Sequence, residues 1–454
     1  MVDVVVRGGD IVTADDVRRA DLAIEGGVIV AIGAELPGGC EEIDAAGLTT
    51  FPGVIDAHLH FNEPGRTEWE GAATGSRALA AGGGTLFFDM PLNSTPCTIG
   101  AVDFDSKRTA LEAASILDFG MWGGLVPGRI GDMEAMAERG VVGFKAFMCD
   151  SGLPEFPRAD DLTLVEGMRE AARLGLPVAV HAESEELTRA LARRVVGRTA
   201  RDFLASRPVF AELDAIQRAL LFAGETGAAL HIVHISSGRG VAAAYEARMR
   251  GVNVSIETCP HYLFFTDEDL ERLGTVAKCA PPLRSVSDRE SLWAEVLAGH
   301  VDLIASDHSP TDPALKAVDF VSAWGGIAGV QSTLAVLLEQ GYHVRALRLE
   351  RIADLLAANP AKRFGVEDKG AIALGQDADL VLVDLATPFT LTASTLLQRH
   401  RMSPYVGATF RGSVRRTIRR GETVYLDGCI TATTGGRLVR PAAHPSDLRR
   451  SSHG

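Results

Sequence analysis

Between Phe51 and about Lys369 the chain alternates short apolar runs with longer stretches rich in Ala, Leu, Glu and Arg. The apolar runs are VIDAHLH, TLFFDMP, ILDFGMWGGL, GFKAFM, PVAVHAE, LHIVHIS, NVSIETCP and DLIASDHS, eight in all. Each has the length and side chains of a buried strand, and intervening segments such as DLTLVEGMREAARLG have the spacing of a helix with one apolar face. A helix between two strands returns the chain to the same end of the sheet, so such strands pair in parallel. Eight units of this kind over roughly three hundred residues predict an α/β fold, a closed (β/α)8 barrel of the TIM type.

The flanks read differently. Residues 1–50 break into short strands at Gly turns, VDVVVRGG, GDIVTADD, DLAIEGGVIVAIG and EEIDAAGLTTFPG, with a hairpin expected at Gly26-Gly27. Strand texture returns in AIALGQDADLVLVD and SVRRTIRRGETVYLDG. Residues 1–50 and 370–440 are therefore expected to form one small β-sandwich domain, with the barrel, residues 51–369, inserted within it and a polar tail over 441–454.

Composition narrows the class. The chain has 454 residues, 46% of them hydrophobic, enough for a large core. Its formal net charge of −14 argues against nucleic acid as a partner. No apolar run is long enough to span a membrane, and the N-terminus reads as strand and turn, not as a secretory leader. Six scattered cysteines without a C-x-x-C pair point to a reducing compartment, hence a cytoplasmic protein.

In a barrel of this type the chemistry sits at the C-terminal ends of the strands. His58 and His60 end the first apolar run, and residues two apart on a strand face the same side, so both imidazoles can meet one metal ion. The fourth run carries Lys145, the fifth ends at His181, the sixth at His234 and the eighth at Asp307. Imidazole and carboxylate suit zinc, manganese, iron or cobalt. Lys145, inside an apolar strand, is either paired with an acid or carboxylated by carbon dioxide to a carbamate that could bridge two cations. His231 and His234 are three apart and face opposite sides; His234 is taken as the ligand and His231 as packed behind it. His261 and His308 lie near the site without being ligands.

These residues sit in long strings: EPGRTEWEG, DMPLNS, VVGFKAF, ASRPVF, AKCAPPLR, SDHSP, AWGGIAG and RHRMSPYVG. Over nearly its whole length the chain resembles the cyclic amidohydrolases of the amidohydrolase superfamily, which include dihydroorotase, dihydropyrimidinase and allantoinase. Within that group the strings are most similar to those of the allantoinases. The resemblance implies two divalent cations, zinc foremost, with manganese, cobalt or iron also compatible. His58, His60 and Asp307 would hold the more buried cation, His181 and His234 the second, and Lys145, as N6-carboxylysine made with carbon dioxide, would bridge them.

It further implies that a metal-bridging hydroxide opens the hydantoin ring of (S)-allantoin to allantoate, a step of purine breakdown, with Asp307 as general base and then acid. A homotetramer is common in the group. Asn62 stands where dihydroorotases carry an arginine, and a neutral amide suits an uncharged ring. Asn93, and Ala280 through its backbone beside Cys279, are the expected substrate contacts, and Met148–Pro157 a mobile loop over the site. The alternative is a dihydropyrimidinase or hydantoinase, and less so a dihydroorotase. A scaffold relative that has lost its ligands is disfavoured, because all six ligand positions hold the expected residue type.

Overall fold

A computed structural model describes residues 2–442; the tail expected over 441–454 lies almost wholly outside the described residues. The eight apolar runs form the strands Val54–Leu59, Gly84–Asp89, Asp118–Met121 continued by Gly123–Gly124, Phe144–Phe147, Val178–His181, Leu230–Ile232, Val254–Thr258 and Leu303–Ile304. Each pairs in parallel with the next. The ring closes where Leu59 bridges His308 and the His60 amide donates to the His308 carbonyl at 2.8 Å. The strands are buried on both faces, which explains why they read as unbroken apolar runs rather than alternating ones.

The helices between the strands follow from local chemistry. Asp161–Leu174 starts where the Asp160 side chain accepts from the Thr163 amide at 2.8 Å, a cap worth about 1 kcal/mol. It stops at Gly175, left-handed with φ 71°, and buries Leu164, Gly167, Met168 and Ala171 along one stripe.

Both chain ends join in one mixed sheet of nine strands. Its order runs Cys429–Ile430, Glu422–Leu426, Thr409–Arg419, Leu380–Thr390, Thr49–Pro52, Val4–Val12, Val17–Glu25 and Val28–Gly33, with Glu41–Asp44 also pairing with Val4–Val12. The strands expected from the two chain ends are thus hydrogen-bonded to one another. One core of Val4, Val6, Leu22, Ile24, Leu380, Leu382 and Ile418 draws on both chain ends. The expected hairpin is present, with Gly26 and Gly27 at φ 60° and 84°, the left-handed pair that a two-residue turn needs.

The expected break after VDVVVRGG is not there. Val4–Val12 is one strand, bulged between Val6 and Gly9, with Gly8 at φ 71° donating its amide to Asp21. A glycine pair serves a bulge as readily as a turn, so its local signature does not separate the two.

The sheet is fastened to the barrel by a buried ionic cluster. Lys369 Nζ lies 2.6 Å from Asp379, 2.7 Å from Asp377 and 3.0 Å from Asp118 at the start of the third barrel strand, and Arg420 also binds Asp118. Burial alone would raise the Asp118 carboxyl, but Lys369 and Arg420 outweigh it and hold it below the usual range. The three carboxylates, close enough to suggest a cation site, already have their cation in Lys369.

Replacing Lys369 with Met leaves Asp118 and Asp379 buried with one cation fewer. We expect a loss of about 3–5 kcal/mol in denaturant unfolding. The deficit should shrink as pH falls and the stranded carboxylates take up protons; equal deficits at pH 8 and pH 5 would contradict the electrostatic account.

Candidate active site

A cavity of about 350 Å³ opens at the C-terminal ends of the barrel strands. His58, His60, Lys145, His181, His234 and Asp307, the six residues singled out as ligands, all line it, together with Asn93 and Ala280. His58 Nε2 and His60 Nε2 lie 3.3 Å and 3.5 Å from Asp307 Oδ1. The His181 and His234 rings meet edge to face at 4.7 Å, and His58 lies 5.5 Å from His234. Four imidazoles, one carboxylate and one amine therefore converge on one space.

Strand alternation explains only part of this. His58 is in its strand, but His60 lies just past the end, and His234 and Asp307 stand two and three residues beyond theirs. His234 and Asp307 have left-handed backbones, φ 41° and 43°, a conformation costly for residues other than glycine. That turn, not the pleat, aims both side chains into the cavity.

The hydrogen bonds behind the rings select their tautomers. His58 Nδ1 sits 2.8 Å from Glu257 and His181 Nε2 2.8 Å from Glu183, while His60 Nδ1 faces the Leu92 carbonyl at 3.5 Å. An ionised carboxylate or a carbonyl only accepts, so these nitrogens carry the protons. The lone pairs are left on His58 Nε2, His60 Nε2 and His181 Nδ1. Burial lowers the pKa of His58, His181 and His234, favouring the neutral rings that ligation requires. Asp307 lies below the usual carboxylate range despite its burial, because any proton that enters this space is better held by the facing imidazoles of His58, His60 and His234 than by its carboxyl.

A model of the amidohydrolase family matches residues 49–424. The chain belongs to the amidohydrolase family. It is 65% identical to an allantoinase of Solibacter usitatus over 98% of both chains. It is 57% identical to an allantoinase of Rubrobacter xylanophilus, over 97% of this chain and 98% of that one. Among solved structures, the L-hydantoinase (dihydropyrimidinase) of Arthrobacter aurescens superposes with a TM-score of 0.95 at 33% identity, covering 97% of this chain and 100% of that one. The dihydropyrimidinase of Brevibacillus agri NCHU1002 gives a TM-score of 0.91 at 29% identity, covering 98% and 100%.

The donor set of this amidohydrolase fits divalent cations. Lys145 Nζ and His234 Nδ1 are buried and, among the described residues, have no hydrogen-bond partner. Buried polar atoms are rarely left so. Burial pushes the Lys145 amine down to about 8, and its Nζ lies 5.1 Å from the centre of the Phe147 ring rather than against an acid. The pairing with an acid considered as the plainer role for Lys145 is therefore not made.

Other expectations sort as follows. His231 packs behind the site, between Ser255 Oγ at 2.8 Å and Glu257 at 3.0 Å. His308 Nδ1 accepts from the amides of Gly329 and Val330, so it serves the barrel seam. His261 is buried against Tyr262 at 4.3 Å and is not part of the cavity wall. Asn62 is not part of it either: its Nδ2 donates to the Pro310 carbonyl at 3.1 Å, so its amide is spent on the loop and not offered to substrate. Asn93 makes a left-handed turn at φ 72° and stands on the cavity wall, where its Nδ2 lies 3.4 Å from Ser309 Oγ. From the loop Met148–Pro157, Asp150, Ser151 and Gly152 reach the cavity, while Ser151 Oγ bonds the Phe156 carbonyl at 2.6 Å and Glu155 pairs with Arg66 at 2.6 Å.

Sequence reasoning missed Glu183, Arg207 and Glu257. Each is an isolated charge beside an apolar run, and the signal for Glu257 was a carboxylate near the end of NVSIETCP, level with the histidines. Burial would raise Glu183, but Arg207 and the His181 N–H bring it down to about 2. Its stabilising contribution is thus complete above its ordinary value of 4.5 and is lost as pH falls from there through about 2. In the chelated protein, Glu183→Gln should be less stable than wild type at pH 7, by an order of 3 kcal/mol for this fully buried group. The gap should close between pH 4.5 and 2 in unfolding curves; a gap that persists unchanged at pH 2 would refute it.

Proposed function

We propose that this amidohydrolase opens the hydantoin ring of (S)-allantoin with water to give allantoate. Full-length identity of 65% to an allantoinase carries the choice of substrate. The hydantoinases and dihydropyrimidinases that superpose on the chain are related at 29–33%. The wall of the cavity supports an uncharged ring. Apart from Lys145, its two basic side chains are engaged elsewhere, Arg207 with Glu183 and Lys278 with the carbonyls of Val321 and Ala323 at 2.8 Å and 2.6 Å. A ring that bears a carboxylate, as in dihydroorotate, would lack a guanidinium to neutralise it.

In this reading His58, His60 and Asp307 would hold one cation and His181 and His234 the other, and Lys145, carboxylated on Nζ, would supply an anion to both. Zinc suits this donor set, as manganese, cobalt or iron would. Bound there, the cations would acidify a water and polarise the scissile carbonyl. Asp307, a carboxylate below its usual range, takes the proton of the attacking water and returns it to the departing ring nitrogen. Asn93 and the backbone at Cys279 and Ala280 hold the ring against rotation. We further propose a cytoplasmic homotetramer. Among the described residues no helix is long and apolar enough to cross a membrane, which is consistent with that location.

Purified protein should open allantoin rapidly, lose activity on chelation and regain it with zinc, while leaving dihydroorotate intact. Faster turnover of dihydrouracil or hydantoin than of allantoin would transfer the enzyme to the hydantoinase reading. Asn93→Ala should keep its bound metal and lose about 10–100-fold in kcat/KM for allantoin, the worth of one or two buried hydrogen bonds. Unchanged kinetics would remove Asn93 from the substrate contacts.

A further inference from the structure

Glu257 is fully buried and absent from the cavity wall, yet it bonds two of the residues that line it. Its Oε1 accepts from His58 Nδ1 at 2.8 Å and from the backbone amide of His234 at 3.1 Å. Its Oε2 accepts from His231 Nε2 at 3.0 Å. The far side of the His231 ring is fixed in turn by Ser255 Oγ at 2.8 Å, and the ring stacks on Trp122 with planes 10° apart. One carboxylate therefore grips a side chain on the first barrel strand and the left-handed backbone turn after the sixth.

The other carboxylate behind the histidines is arranged differently. Glu183 holds His181 and is itself held by Arg207, and none of its hydrogen bonds goes to His58, His60 or His234. Glu183 serves one ligand, whereas Glu257 serves one ligand of each proposed cation position.

We infer that Glu257 is a positioning residue that couples the two cation positions, so that loosening it weakens both together. For His58, the charged acceptor fixes the tautomer and orientation of the ring and raises the basicity of Nε2. For His234, the bond to its amide holds a strained backbone conformation in which its ring points into the cavity. Without the carboxylate the left-handed turn relaxes toward ordinary geometry and the ring follows. The inference rests on the two-cation reading above and adds to it a residue through which the positions depend on each other.

The test is zinc affinity, measured on the full chain by chelator competition with the bound metal counted by mass spectrometry. Glu257→Gln, of the same shape without the charge, should bind zinc about 10–100-fold more weakly at both positions. Glu183→Gln should weaken one position and leave the other within about twofold, since orientation of a single ligand is changed. If Glu257→Gln does not fold, His231→Phe keeps the stacking on Trp122 while leaving Glu257 Oε2 unpaired, and it should weaken both positions by a smaller factor. Wild-type affinities in these variants, or a loss confined to one position, would overturn the coupling. A wild-type chain that holds no zinc pair would overturn the two-cation reading itself, an outcome distinct from either.

Discussion

A buried amine without a hydrogen-bond partner among the described residues is the constraint around which this site is built. Lys145 Nζ stands on the fourth barrel strand, wholly buried, in contact range of rings and not of acids. A charged ammonium in such a place costs several kcal/mol, and the chain lowers that cost by driving the amine toward neutrality. A neutral amine is also the nucleophilic form that captures carbon dioxide: nitrogen bonds to carbon, a proton leaves, and the result is an anion with two oxygens. Under the proposed reading, the unfavourable burial of the lysine and the favourable binding of two cations are one arrangement. Each anion in the space, Asp307 included, has imidazoles facing it.

Such an arrangement survives only if the ring of strands stays closed. The seam between the first and last strands separates His58 and His60 from Asp307, and it is held by a backbone bond from His60 to His308. The His308 side chain, pinned by two amides of the following loop, keeps that seam in register. The opposite end of the barrel is secured by the chain ends. Thr49–Pro52 pairs with Leu380–Val383 and runs directly into the first barrel strand, so the sheet and the barrel wall share one piece of backbone. Lys369 and Arg420 complete the tie through Asp118 on the third strand. Rigidity at the end without chemistry thus sets where the ligands at the other end stand.

The barrel was legible because parallel strands buried on both faces leave continuous apolar runs, and the helices between them announce themselves by spacing and caps. Five of the six inward side chains were legible because they stood at or near the close of such a run, and Lys145 because it is a charge inside one. What local pattern did not carry was anything decided through space. Gly8-Gly9 reads as a turn but is a bulge, since only the partner strand can tell the two apart. Asn62, at the position where dihydroorotases carry an arginine, bonds Pro310, which is 248 positions away in the chain. His234 and Asp307 are aimed by left-handed backbones that pleat arithmetic does not contain. Glu183 and Glu257 stand near the close of apolar runs, but which ring each one backs is decided through space.

Specificity follows from how the cations of the cavity wall are spent. Hydantoins and dihydropyrimidines share the same ureide edge, so the groups that meet the reacting amide cannot separate them; the substituent on the ring must. A hydantoin with an apolar arm would call for an apolar cleft, and a carboxylate arm for an unpaired guanidinium. This cavity instead presents Asp150, Ser151, Gly152 and Ser322 through Gly326 from two loops, with Arg207 and Lys278 already bound to protein acceptors. An uncharged arm rich in N–H and C=O groups suits such a rim, because Asp150, Ser151 and Ser322 offer it polar groups and no net charge needs neutralising. The ureido arm of allantoin is of that kind, and dihydrouracil has no arm with which to use the rim at all.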